Sequence, residues 1–138
     1  MTQQIFVKEL PSDPELLPQA EEFIIDIAQK VKLNEDKFNS LALSFSEAAS
    51  NSIVHGNKLN KNKLITITVK VENGIMEIII KDQGKGFDPL TVPDPTKPEN
   101  ILKDNGRGIH IMRSFLDDLK YNSTPDGMET ILVFSLKN

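Results

Sequence analysis

The sequence predicts an α/β (α+β) two-layer sandwich, with a mixed, mainly antiparallel sheet and helices on one face. Three observations carry this. Residues 14–31 and 34–54 repeat apolar side chains at helical spacing. From Leu64 the period changes to two and runs into Asn73-Gly74, the strongest short hairpin signal, because both residues tolerate positive φ. A second hairpin pattern, Leu119 to Ser123 and Ile131 to Leu136, surrounds Pro125-Asp126-Gly127.

Composition narrows the class. A chain of 138 residues fits one domain over 1–138, since domains hold roughly 100–200 residues. Hydrophobic residues at 38% and charged residues at 26% are the balance of a soluble globular protein. No apolar run approaches the roughly 20 residues of a membrane span, and Met1-Thr2-Gln3-Gln4 is not a signal-peptide start. The lack of cysteine excludes disulfides and thiolate chemistry and fits a cytoplasmic protein. With only two histidines besides, a structural zinc site is disfavoured. Sixteen basic against twenty acidic residues give a net charge of -4, which argues against direct nucleic-acid binding.

Ile5-Phe6-Val7 reads as a strand within residues 3–10, ended by Pro11. Ser12-Asp13-Pro14-Glu15 is a helix start, with Asp13 or Ser12 as cap and proline in the first turn. Leu16, Leu17, Ala20, Phe23, Ile24, Ile27 and Ala28 form the apolar face of that helix. Asn34 caps the next one, which buries Phe38, Leu41, Ala42, Phe45, Ala49 and Ile53, runs to about Val54 and closes at Gly56. Residues 57–63 form a polar loop whose lysines face solvent. Ile65, Ile67, Val69 and Val71 alternate with polar residues, and the return strand from Ile75 to Lys81 is apolar enough to be central.

Three segments carry chemistry. Glu47, Asn51 and His55 lie i, i+4, i+8, so they stack on a face away from the apolar stripe. Alone, that is as well explained by a solvated face. Asp82-Gln83-Gly84-Lys85-Gly86-Phe87 follows the central strand, placing a carboxylate at its mouth and a Gly-x-Gly where backbone can approach a flat ligand. Then Pro89, Pro93, Pro95 and Pro98 place half of the chain's eight prolines in ten residues, inside a long aperiodic stretch that reads as a lid or binding loop. Asn105-Gly106-Arg107-Gly108 opens a helix carrying Ile109, Met112, Phe115, Leu116 and Leu119, with free N–H groups able to meet an anion.

The order of these segments resembles a known family. Glu47-Ala48-Ala49-Ser50-Asn51-Ser52-Ile53-Val54-His55-Gly56, the Asp82 box and Gly106-Arg107-Gly108-Ile109-His110-Ile111-Met112 are similar to the boxes of the ATP-binding domain of gyrase, histidine kinases and MutL. The chain resembles the short stand-alone form of that domain, the anti-sigma-factor serine/threonine kinases. The resemblance implies the Bergerat ATP-binding fold with a lid at about 89–106. It implies ATP and Mg²⁺ as cofactors, Asn51 as the metal ligand and Glu47 as the catalytic base. Asp82 would read adenine, with Gly84 and Gly86 against the base. Gly106, Arg107 and Gly108 would meet the phosphates, although Arg107 facing solvent stays open. His55 is open between ligand contact and a structural hydrogen bond. Where the family often has Gly-Thr before the last strand, this chain has Gly127-Met128-Glu129-Thr130, which leaves Thr130 without an assigned role.

By the same resemblance the expected function is an ATP-dependent anti-sigma regulatory factor. It would phosphorylate an anti-anti-sigma (STAS-type) antagonist, sequester a sigma factor and form a homodimer. The alternative is an ATP-dependent switch module without kinase activity.

Overall fold

The computed structural model describes residues 3–84 and 116–136. In chain order these form β1 (Gln4–Pro11), a 3-10 turn (Pro14–Leu16), α1 (Leu17–Lys30) and α2 (Glu35–Asn51). A π-helical turn (Ser52–Gly56) follows, then β2 (Leu64–Glu72), β3 (Ile75–Lys81), β4 (Asp118–Thr124) and β5 (Gly127–Ser135).

The strands form one sheet in the order β1-β2-β3-β5-β4. The expectation was a mixed, mainly antiparallel sheet, and every pairing among the described residues is antiparallel. Chain geometry explains the first pairing. Two consecutive helices lie between β1 and β2, so the chain reverses once more than in a single-helix crossover, which would leave the strands parallel. β2 and β3 are joined by the tight turn expected at Asn73 (φ 55°) and Gly74 (φ 76°). β3 is central, with β2 on one side and β5 on the other.

Its two faces differ, however. Met76, Ile78 and Ile80 are buried, whereas Glu77, Ile79 and Lys81 are only half-buried. The near-continuous apolar run therefore does not mean that both faces are covered. Ile65, Ile67, Val69 and Val71 of β2, with Leu132 and Phe134 of β5, share the covered face. They join Ala20, Ile24, Ile27 and Ala28 of α1 and Leu41, Phe45, Ala48 and Ala49 of α2 in one core. Both helices thus lie on one face of the sheet.

Helix starts follow local chemistry. Asn34 accepts from Lys37 N–H at 2.9 Å and caps α2, as expected. Asp13 accepts from Glu15 N–H at 3.0 Å, but it caps the short 3-10 turn rather than α1. Ser12, the other candidate cap, is turned inward. Its hydroxyl donates to the Lys63 carbonyl at 2.8 Å. Leu119, which the sequence offered both to the helix after Gly108 and to the hairpin strand Leu119 to Ser123, belongs to that strand, β4, and pairs with Leu132.

Phe45 is 0% exposed at the centre of this helix–sheet contact. Phe45→Ala is expected to lower unfolding free energy by about 3–5 kcal/mol, the usual result of removing a buried phenyl ring. Urea denaturation of the two proteins checks this, and a loss below about 1 kcal/mol would contradict the assigned core.

Candidate functional site

The site is built where α2 ends against the mouth of β3. Glu47 and Asn51 sit half-buried on α2, one helical turn apart, while Ala48, Ala49 and Phe45 fill the core side. After Asn51 the backbone widens into the π turn. Four residues in a wider turn sweep a different angle from four in an α-helix, so the even stacking expected for Glu47, Asn51 and His55 stops at Asn51. His55 is exposed. π turns have poorer hydrogen-bond geometry and are commonly retained at functional positions.

Gly56 ends the π turn, but not as a left-handed cap, since it is absent from the residues with positive φ. Its requirement is space. A Cβ at Gly56 would lie 2.6 Å from Asp82 Cγ and closer still to Oδ2. A Cβ at Gly84 would run into the Gly56 carbonyl, and one at Gly127 into the Asp82 carbonyl. Gly127 also has φ +150°, a conformation that side chains disfavour. Glycines from three separate segments therefore close around one aspartate.

Asp82 is 1% exposed. Its N–H donates to the Met128 carbonyl at 3.0 Å, extending the β3–β5 ladder by one step. Oδ1 accepts from Gly84 N–H at 3.0 Å and Met128 N–H at 3.2 Å. Oδ2 is buried and has no hydrogen-bond partner among the described residues. Burial pushes this carboxyl above the ordinary value of 3.8, against the pull of the Met128 and Gly84 amides and the Lys63 charge. A desolvated acceptor walled by glycine fits a flat ligand that brings its own donor, and an exocyclic amine is such a donor.

Asn57 was read only as the first residue of a polar loop, and it is 1% exposed. Nδ2 donates to Ser12 Oγ at 2.5 Å and to the Leu64 carbonyl at 3.0 Å, and Oδ1 accepts from Gln83 N–H at 2.7 Å. These partners lie 45, 7 and 26 residues away in sequence, so no local pattern could have revealed them. The lysines of the same loop differ from one another. Lys58 and Lys61 are exposed, whereas Lys63 is half-buried. Thr130 is buried on the covered face of β5, opposite Ile80 and two residues beyond Met128. Gly86, Gly106, Arg107, Gly108 and the lid at about 89–106 lie outside the described residues.

The same architecture occurs in solved structures. A crystal structure of RsbU and RsbW domains from Mycobacterium tuberculosis superposes with a TM-score of 0.69 at 9% identity, covering 96% of this chain and 32% of that one. The histidine kinase domain of a blue-light activated histidine kinase from Erythrobacter litoralis gives 0.55 at 16% identity, covering 72% and 45%. These likenesses show the fold class, an α+β sandwich with helices packed on an antiparallel sheet.

The sequence then places the chain within that class. It belongs to the histidine kinase-like ATPase domain family, whose profile matches residues 10–134. Among curated proteins it is similar to the anti-sigma F factor of Priestia megaterium, 34% identical over 94 residues, which is 64% of this chain and 63% of that protein. It is likewise 34% identical over 100 residues to the anti-sigma F factor of Bacillus subtilis (strain 168), covering 70% and 67%. The match thus spans a little under two thirds of the Priestia protein's length.

The state of Asp82 predicts an unusual stability profile. An acid with a raised folded-state pKa stabilises the fold below its unfolded value, and that contribution is lost as pH rises through the folded value. Asp82→Asn keeps the Oδ1 acceptor and removes the buried charge. Without nucleotide, the variant is expected to melt at or above the wild-type temperature at pH 7. Its advantage should shrink as pH falls from 7 through the raised folded-state value, below which wild-type Asp82 is itself neutral. Thermal melts across that range decide it. A variant several degrees less stable at neutral pH would mean the charge is compensated.

Proposed function

We propose that this chain is an ATP-dependent anti-sigma regulatory factor. In this reading it is a protein serine/threonine kinase that phosphorylates an anti-anti-sigma (STAS-type) antagonist and holds a sigma factor inactive. One observation carries the nucleotide part of the proposal. The partnerless Asp82 Oδ2, in its glycine cradle, suits the exocyclic amine of adenine. Guanine would present a carbonyl there, so that two acceptors would face each other. Family membership supports ATP as the ligand, and the names of the relatives support the anti-sigma role.

The remaining roles follow from chemistry. Asn51 offers a neutral oxygen to Mg²⁺, an ion that keeps much of its water and takes other ligands from phosphate. Among the described residues no group of three or more His, Cys, Asp or Glu side chains gathers to hold a metal. This division of ligands between one side chain and the phosphates therefore fits. When bound, Mg²⁺ would neutralise phosphate charge.

Glu47, one turn before Asn51, would take the proton of the attacking serine or threonine hydroxyl as its oxygen bonds to the terminal phosphorus. The bond from that phosphorus to the bridging oxygen breaks, and ADP leaves with the electron pair. Gly84 and Gly86 would lie along the base. Gly106, Arg107 and Gly108 would meet the phosphates. A homodimer in the cytoplasm completes the proposal.

Incubation with Mg-ATP and the cognate antagonist is expected to add one phosphate mass to the antagonist, read by mass spectrometry. Glu47→Ala should lower that rate about 10²–10⁴-fold, the usual contribution of a general base, with ATP affinity little changed. No mass increase with wild-type protein would sink the kinase reading. If partner affinity still depended on ATP and was unchanged in Glu47→Ala, the chain would instead be a nucleotide switch.

Asn51→Ala offers a separate check on metal binding. ATP affinity is expected to lose its dependence on added Mg²⁺, measured by calorimetric titration with and without the metal.

A further inference from the structure

Asp82 can present a bare oxygen only if its carboxylate is held at one rotation, and Asp82 does not fix that rotation by itself. Oδ1 is set by two amides, those of Met128 and Gly84. Met128 belongs to a regular strand. Gly84 lies in a bend beyond the end of β3, past the last described ladder contact. That bend is anchored through Gln83. The Gln83 N–H donates to Asn57 Oδ1 at 2.7 Å, and Gln83 Oε1 accepts from the Leu64 N–H at 2.6 Å.

Asn57 in turn is fixed from both sides. Its Nδ2 meets two acceptors, Ser12 Oγ and the Leu64 carbonyl. Its own N–H donates to the Ser52 carbonyl at 2.8 Å, at the start of the π turn. The amide orientation is dictated by these partners, because Gln83 N–H requires an oxygen and the Leu64 carbonyl requires a nitrogen.

We infer that Asn57 is a positioning residue that sets base specificity: it clamps the Gln83-Gly84 backbone so that Asp82 turns Oδ2 toward the ligand. The inference rests on the proposed adenine reading and deepens it. A purine carrying an exocyclic amine is favoured over an oxo purine only while Gly84 N–H holds Oδ1. Without Asn57, the Gln83 N–H and the Leu64 carbonyl lose buried partners, and the bend relaxes to satisfy them. The carboxylate then rotates and offers either oxygen, so discrimination between the two purines falls. Aspartate cannot replace asparagine here, since its second oxygen would face the Leu64 carbonyl.

The test is a pair of calorimetric titrations, Mg-ATP and Mg-ITP, on each protein. ITP has the same ribose and phosphates, but carries an oxo group where ATP carries the amine. Wild-type protein is expected to prefer ATP by at least about tenfold, the usual consequence of losing a hydrogen bond to a charged group. Asn57→Ala and Asn57→Asp should bring that ratio below about threefold, by weakening ATP binding and not ITP binding.

Gln83→Ala, at an exposed side chain that folding tolerates, should lower the ratio part of the way. Ile27→Ala, in the core of α1, provides the stability control. It should lower the melting temperature and leave the ratio untouched. If wild-type protein prefers ATP and neither Gln83→Ala nor any folded Asn57 variant changes the ratio, the positioning role is wrong and the adenine reading stands. If wild-type protein binds ATP and ITP equally, the adenine reading fails and the inference fails with it.

Discussion

Asp82 keeps one carboxylate oxygen tied to two backbone amides and the other buried without a partner, and the junction of helix and sheet is arranged around that asymmetry. A lost partner for a buried polar group usually costs about 1–3 kcal/mol, and more when it is charged. Only glycine fits at 56 and 127, where a Cβ would collide with Asp82, and at 84, where it would collide with the Gly56 carbonyl. Each glycine gives up side-chain packing and adds chain entropy on unfolding. These compromises meet in one place, while the core formed by Ile67, Val69, Ile78 and Leu132 follows ordinary rules of burial. A local concentration of close glycine contacts and unsatisfied polarity inside a regular fold fits the proposed ligand position.

The junction also ties together parts that would act at opposite ends of a nucleotide. Glu47 and Asn51 stand on α2, and Asp82 stands beyond β3. Between them lies the π turn, with Asn57 at its exit bonded to Ser52 on one side and to Gln83 on the other. The helix end and the bend beside Asp82 are therefore linked by hydrogen bonds through Asn57. In the proposed reading, phosphate chemistry and base recognition share one rigid connection.

Much of the fold was legible because it depends on local periodicity. The alternation from Ile65 to Val71 gave the covered face of β2, and Asn73-Gly74 gave a turn whose positive φ values are those observed. Asn34 was readable as a cap because its partner, Lys37, is three residues away. The choice between Asp13 and Ser12 as cap stayed open in the sequence for the converse reason. The sequence context of Ser12 suits a cap, but Lys63 and Asn57 engage it from a distance. The apolar run of β3 was read as a central strand, which it is, although composition could not say whether a second layer covers the sheet's other face.

The sequence by itself determined the order of the described helices and strands, the two tight hairpins and the spacing of Glu47 and Asn51. All of these follow from contacts within a few residues. The helix expected to open at Asn105 lies outside the described residues. Tertiary structure alone decided that His55 leaves the line of Glu47 and Asn51, that Gly56 is required for space and not for φ, and that Asn57 is a buried clamp. Each of those depends on a second segment brought close in space: β3 against the π turn, and Ser12 against the loop before β2. Side-chain periodicity records which way a residue points, but not what another part of the chain brings to meet it.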